Sequence, residues 1–172
     1  MKEEIKRQRI LETAFKLFSS YGFKRVTMDE IAHTAGVGKN TIYQLLESKQ
    51  ALMLDTVDFI AGRFETSVRS VLETDYPPVE KLRLFIKTVF EGLTPLRSKP
   101  LADLETDCPE AYQKMLMYRK RIIFGNLTKL INEGKRAGVY DPGTDEALAA
   151  HIVIGAVNHI SSPEVLKTLD TR

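Results

Sequence analysis

The sequence predicts an all-α fold, and three observations carry that prediction. Apolar residues recur at intervals of three and four along almost the whole chain, no stretch alternates convincingly with period two, and Ser, Thr, Gly and Pro stand where helices have to start and stop. With 172 residues, 43% of them hydrophobic and 28% charged, the chain can bury a sizeable core. It suits one compact domain or a small module joined to a larger one.

The first helix is expected from near Lys2 to Tyr21, with Ile10, Ala14, Leu17 and Tyr21 on one stripe and Leu11, Phe15 and Phe18 beside it; Gly22 stops it. Thr27-Met28-Asp29-Glu30 then has the form of a capping box, in which the threonine hydroxyl accepts from the Glu30 amide while the glutamate reaches back. Met28, Ile31, Ala32 and Ala35 give that second helix one short apolar face, and it ends at Gly36. A third short helix follows, with Ile42, Leu45 and Leu46 facing inward. Ser48 caps a long helix from Lys49 to about Leu72, and Pro77-Pro78 separates it from another spanning Val79 to about Leu93. Pro95 and Pro100 bracket a segment leading to a short helix near Leu101 to Glu105. Pro109 opens a long helix that runs to about Ala137, where Gly138 and Asp141-Pro142-Gly143 make a turn. Thr144 is the expected cap of a helix reaching Ile160, and Ser162-Pro163 restarts a short last one before Arg172.

Several function classes find no support. No apolar run approaches the roughly 18 to 20 residues that span a bilayer, and MKEEIKRQRI is too charged for a secretory signal, so a cytoplasmic protein without membrane contact is expected. Cys108 stands alone, which leaves neither a disulfide framework nor a cysteine zinc site within one chain. His33, His151 and His159 belong to no metal-ligand motif, and no metal or other cofactor is expected. The chain lacks a Gly-x-Ser-x-Gly elbow, a His-Glu-x-x-His pair and a glycine-rich turn after a strand, and Asp103 and Glu105 read as charged helix surface. No catalytic residues are assigned, and the protein is not expected to be an enzyme. Residues 1–50 hold nine Lys/Arg against six Asp/Glu, a surplus of three in a chain whose net charge is +2, so an anionic partner would favour that part.

The stretch GVGKNT, residues 36–41, invites a phosphate-loop reading. Such a loop needs a glycine where this chain has His33 and a Ser or Thr where it has Asn40, as well as a buried strand leading in. The neighbouring residues fit a different geometry. Two short helices joined by a turn of three or four residues with a glycine meet steeply, need a small residue at the crossing and apolar residues to lock the corner. Ala32 is the small residue, Gly36 the turn, and Ile31, Ala35, Val37, Ile42 and Leu45 form the lock. This is a helix-turn-helix, whose second helix presents Asn40, Tyr43, Gln44 and Glu47 away from the core, with Lys39 near its start. In a major groove either amide can pair with adenine, and Lys39 can reach guanine or phosphate. Thr27, Tyr43 and Lys49 suit phosphate oxygens, which fix register.

Between Arg9 and Leu52 the sequence resembles the DNA-binding domain of the TetR family of bacterial transcriptional regulators. The resemblance rests on Ile10-Leu11, Ala14, Leu17-Phe18, Gly22, Thr27, Ile31-Ala32, Ala35-Gly36-Val37, Thr41-Ile42-Tyr43 and Ser48-Lys49, all in one register. It implies an all-helical protein of about nine helices, with a DNA-binding domain over 1–48 and a ligand-binding and dimerisation domain over 49–172. It adds Thr41 to the expected DNA contacts. The chain departs from the family at Gly38, commonly Ser, and at Leu45-Leu46, commonly a Tyr-Phe or His-Phe pair. Farther on, LADLETDCPEAYQKMLMYRKRI and LINEGKRAGVYDPGTDEALAAHIVIGAV are similar to regulatory domains of the family.

Aromatic and methionine residues at helical spacing read first as core, yet some of them should line the small-molecule pocket that the resemblance implies. Phe59, Phe85, Val89, Tyr112, Met115, Tyr118 and Ile122 are the candidates. Ala149, Ile152, Val153, Ala156, Val157 and Ile160 form a broad apolar stripe, which the family uses across a twofold axis. The expected protein is thus a homodimeric regulator, a repressor, that binds a near-palindromic double-stranded DNA operator and is released by a small-molecule effector. A nucleotide-binding enzyme built on Gly36–Thr41, or a helical regulator that binds protein or lipid, are the alternatives.

Overall fold

A computed structural model describes residues 2–93 and 104–160. The expected last helix after Ser162-Pro163, the Pro95 to Pro100 segment and residues 101–103 of the expected short helix lie outside the described residues. Among those described there is no strand, and nine α-helical segments follow one another. They are α1 (Lys2–Tyr21), α2 (Met28–Thr34), α3 (Lys39–Leu45), α4 (Lys49–Leu72), α5 (Pro78–Leu93), α6 (Leu104–Asp107), α7 (Pro109–Arg119), α8 (Gly125–Arg136) and α9 (Glu146–Ile160). A π-helical turn, Lys120–Phe124, joins α7 to α8, so these two continue as one rod, as the unbroken apolar pattern from Pro109 onward predicts.

By packing, the chain forms two compact units that divide inside helices. The first holds residues 1–63 and 98–116, and the second 64–97 and 117–172. The helix-turn-helix lies whole within the first. In that unit Ile10, Leu11, Ala14 and Phe18 of α1 are buried, as are Ile31, Ala32 and Ala35 of α2 and its C-cap, Ile42 of α3, and Leu46. Each large aliphatic or aromatic side chain removed from water in this way contributes about 1.5–3 kcal/mol. Ion pairs at the rim tie α1 to α4, Arg7 with Asp55 and Arg63 with Glu12, each at 2.6 Å. Another at 2.6 Å, Lys114 with Asp58, ties α7 to α4.

In the second unit α5 and α9 pack on α8, around Phe85, Val89, Ile122, Ile123, Leu127, Leu130 and Ile131. Lys81, almost wholly buried along its stem, reaches Glu133 at 2.8 Å. Gly134 is required by a close approach. A Cβ there would stand 2.1 Å from the Tyr140 ring, which folds back over the end of α8. The start of α9 corrects one expectation. Its cap is Asp145, whose Oδ1 accepts from the amides of Ala147 and Leu148, both at 2.9 Å, and not Thr144. Asp145 also supplies the carbonyl that accepts the first helical bond, from the Ala149 amide at 2.9 Å, so the helix begins one residue later.

A candidate DNA-reading helix-turn-helix

Local chemistry fixes both ends of α2. At its start Thr27 is extended, the Glu30 amide donates to Thr27 Oγ1 at 3.2 Å, and the Thr27 amide donates to Glu30 Oε2 at 2.7 Å, completing the capping box. At its end the Val37 amide donates to the Ala32 carbonyl at 2.9 Å and the Gly36 amide to the His33 carbonyl at 3.1 Å. This is a Schellman closure, and Gly36 occupies its left-handed position with φ 63°. A side chain is disfavoured there for backbone reasons, because nothing stands within 4 Å of the place its Cβ would take. GVGKNT is therefore the corner of two helices. Arg9 reaches across from α1 to the Gly36 carbonyl at 3.2 Å and holds the corner against the rest of the head.

From Gly38, an extended N-cap without a side-chain bond, α3 leaves the corner. Ile42 is fully buried and Leu46 nearly so, which clamps the inner face, while Leu45 is half-buried at the edge. Asn40, Tyr43, Gln44 and Glu47 are exposed on the outer face and Thr41 is half-buried. Asn40 and Gln44 thus stand one turn apart, on a helix whose rotation is set by its core side chains.

The cations expected at phosphates are engaged locally. Lys39 Nζ bonds Asp29 Oδ2 at 2.8 Å, bracing the start of α3 against the start of α2, and this bond raises the Lys39 pKa above its ordinary value. Both groups are exposed, so the pair is weak and a phosphate can replace the carboxylate. Lys49 lies over the Phe23 ring, 4.5 Å from its centroid, and donates to the Lys24 carbonyl at 3.3 Å. Partial burial lowers its pKa, against the opposing pull of Asp107 and Glu30. Sequence reasoning did not find Arg9, Asp29, Lys24 or Asp107 in this neighbourhood. Their partners lie ten or more residues away in no shared helical register, so no periodicity announces them.

The Glu30 carboxyl is held below its ordinary pKa, first by the bond from the Thr27 amide and then by the Thr27 hydroxyl. A carboxylate with a depressed folded value contributes stability above its unfolded pKa and loses it as pH falls through the folded one. The thermal stability lost by Glu30→Gln is accordingly expected at neutral pH and should vanish on acidification from about pH 5 downward. Melting curves of both proteins across that range check this, and a constant difference would contradict it.

In the second unit a narrow apolar crevice is lined by Phe85, Val89, Ile123, Val153 and Val157, with Arg119 at its wall. Its free space is about 10 Å³, enough for about one water. Of the expected pocket residues, Phe85 and Val89 line it, and Tyr118 and Ile122 belong to the same unit. Phe59, Tyr112 and Met115 belong to the first unit. The apolar stripe of α9 divides as well. Val153 and Val157 turn to the crevice, Ala149 is half-buried, and Ile152 and Ala156 are exposed. The Ile160 side chain lies outside the described residues.

Two short helices locked at a glycine corner, the second showing amides and a phenol to solvent beside three lysines, define a helix-turn-helix protein of the DNA-binding kind. Residues 10–56 match the model of the family described as bacterial regulatory proteins, tetR family. Over those residues the chain carries the DNA-binding domain of the TetR family of transcriptional regulators. It is similar to YhgD, an uncharacterized HTH-type transcriptional regulator of Bacillus subtilis (strain 168), with 27% identity over 147 residues, 84% of this chain and 76% of that protein. Among solved structures it is similar to the fatty acid degradation regulator FadR from Bacillus halodurans. That match has a TM-score of 0.73 and 25% identity, covering 95% of this chain and 86% of that one. The transcriptional regulator FadR from Bacillus subtilis, in complex with stearoyl-CoA, shares the fold at a TM-score of 0.71 and 23% identity, covering 94% and 88%.

Proposed function

We propose that the chain acts as a homodimeric repressor, with a DNA-binding domain over 1–48 and a regulatory part over 49–172, whose two α3 helices enter successive major grooves about 34 Å apart on a near-palindromic operator. The exposed amide face of α3, clamped from behind by Ile42 and Leu46, is the observation that carries this reading. Asn40 and Gln44 read base edges, while Thr27, Lys39, Thr41, Tyr43 and Lys49 serve phosphates, Lys39 and Lys49 after leaving their present partners. Selection of bound duplexes from a random pool tests the reading. An inverted repeat with half-sites one helical turn apart is expected, and recovery of unrelated sequences would refute it.

Dimerisation is supported by α9, which leaves Leu148 59% and Ile152 63% exposed, one turn apart and in line with Ala156. Large aliphatic side chains grouped in this way are normally covered by a partner. Ile152→Asp is expected to give monomers in sedimentation velocity. It should weaken operator binding by roughly 10²-fold or more, because the second head then binds without the benefit of the first. A dimer that survives the aspartate would move the interface elsewhere.

The effector is an elongated apolar molecule with an anionic head, of fatty acyl type, bound in the regulatory part. Support comes from the apolar crevice with Arg119 at its wall and from the likeness to a fatty acid degradation regulator. Because the crevice has room for about one water, the effector must select an opened form, and it releases DNA only if that form is the one less able to bind. Reading DNA and answering an effector, the protein works as a regulator and not as an enzyme, in the compartment that holds the chromosome. No described helix is long and apolar enough to cross a membrane.

A further inference from the structure

The peptide unit between Gly36 and Val37 is held at both of its polar groups. Its N–H, from Val37, donates to the Ala32 carbonyl of α2 at 2.9 Å. Its C=O, from Gly36, accepts from Arg9 Nη2 of α1 at 3.2 Å. A peptide unit is planar, so two bonds on opposite sides fix how that plane is turned. Only Val37 and Gly38 separate it from Lys39, the first residue of α3. The direction in which α3 leaves the corner therefore depends on Arg9, at a glycine whose backbone has more freedom than that of any other residue.

The start of α3 has little else to fix it. Gly38, its N-cap, makes no side-chain bond, and the brace from Lys39 to Asp29 is given up when Lys39 turns to a phosphate. Arg9 keeps its place by a different logic. It stands beside the fully buried Ile10, which anchors its backbone, while its own side chain is exposed and fills no part of the core. Its guanidinium has five N–H donors, so the bond to Gly36 can persist whatever the others meet. We propose that Arg9 is a positioning residue for base reading: by holding the Gly36 carbonyl against α1 it keeps Asn40 and Gln44 aimed at base edges after the Lys39 brace is released. This rests on the DNA-reading assignment above and adds to it a residue of α1 that sets specificity through the corner.

The test measures binding of Arg9→Met and Arg9→Lys to the selected operator and to a scrambled duplex over a range of salt, with folding checked by thermal melts. Methionine removes both donor and charge at an exposed position, and the melting temperature should move by less than about 2 °C. Arg9→Met is expected to weaken operator binding about three- to tenfold, the size of one net hydrogen bond, and to leave the scrambled duplex within about twofold. The slope of log K against log salt should fall by less than half of the roughly 0.9 that one phosphate contact contributes. Arg9→Lys keeps a donor that can reach the carbonyl and should recover most of the operator preference. In a background of Asn40→Ala with Gln44→Ala, the further cost of Arg9→Met should drop below about twofold, because amides that are gone cannot be misaimed. Equal losses on both duplexes with a full fall of about 0.9 in slope would make Arg9 a phosphate contact and overturn the proposal. Unchanged operator preference in folded Arg9→Met, an undiminished cost in the double-alanine background, or a variant that does not fold overturns it as well. Wild type that binds both duplexes alike would instead remove the DNA-reading assignment.

Discussion

Replacement of Ile42 by alanine is expected to destabilise the first unit by about 2–5 kcal/mol and to weaken binding to every DNA sequence together. Ile42 is fully buried, on the inner face of a helix of only seven residues. So short a helix has little stability of its own, and its rotation is set by the side chains it buries. Alanine removes three carbons and leaves a cavity under α3, where it packs on α2, so α3 loses the contact that aims its amides. Tyr43, the next residue, is 43% exposed, and Tyr43→Ala should change stability by less than about 0.5 kcal/mol. Denaturant melts of the two variants measure the contrast. Equal melts would mean that the recognition helix is not held as described.

The second large effect concerns specificity. Asn40→Ala and Gln44→Ala are each expected to cost about 1–3 kcal/mol on the selected operator, and to leave random-sequence affinity within about twofold. Both side chains are exposed in the free head, so truncation removes a contact to DNA and little from the fold. Lys49→Ala should behave in the opposite way, weakening all sequences alike and lowering the salt slope, because an ammonium serves phosphates without reading bases. Competition binding with operator and scrambled duplexes separates the two patterns. If all three variants lose equally on both duplexes, the amides do not face base edges.

Much of the head was legible in the sequence because it is made by interactions over three to five residues. The Thr27 capping box, the Gly36 corner and the Ser48 cap, whose Oγ accepts from the Ala51 amide at 3.0 Å, are short-range chemistry, and the residue types alone select them. The cap of α9 shows the limit of such reading. Thr144 and Asp145 are both capping residues, and the structure gives the cap to Asp145, whose side chain accepts from Ala147 and Leu148 and whose carbonyl accepts from Ala149. The π turn at Lys120–Phe124 left no mark on the apolar spacing. The helix continues through it with Asn126 bonding the Ile122 carbonyl at 2.7 Å and Thr128 the Phe124 carbonyl at 2.9 Å.

The amino-acid sequence by itself determined that the described residues are helical, where their helices other than α6 start and stop to within a residue or two, and which face of α3 is turned outward. Those properties follow from backbone capping and from the 3.6-residue period, both of which act locally. Only the tertiary structure decided which carboxylates pair with Lys24 and Lys39, and which residues of the α9 stripe turn inward to the crevice and which outward to solvent. Those pairings join positions far apart in the chain. A periodic pattern says that a side chain must be covered or a charge answered, but the packing of the helices chooses the group that does so.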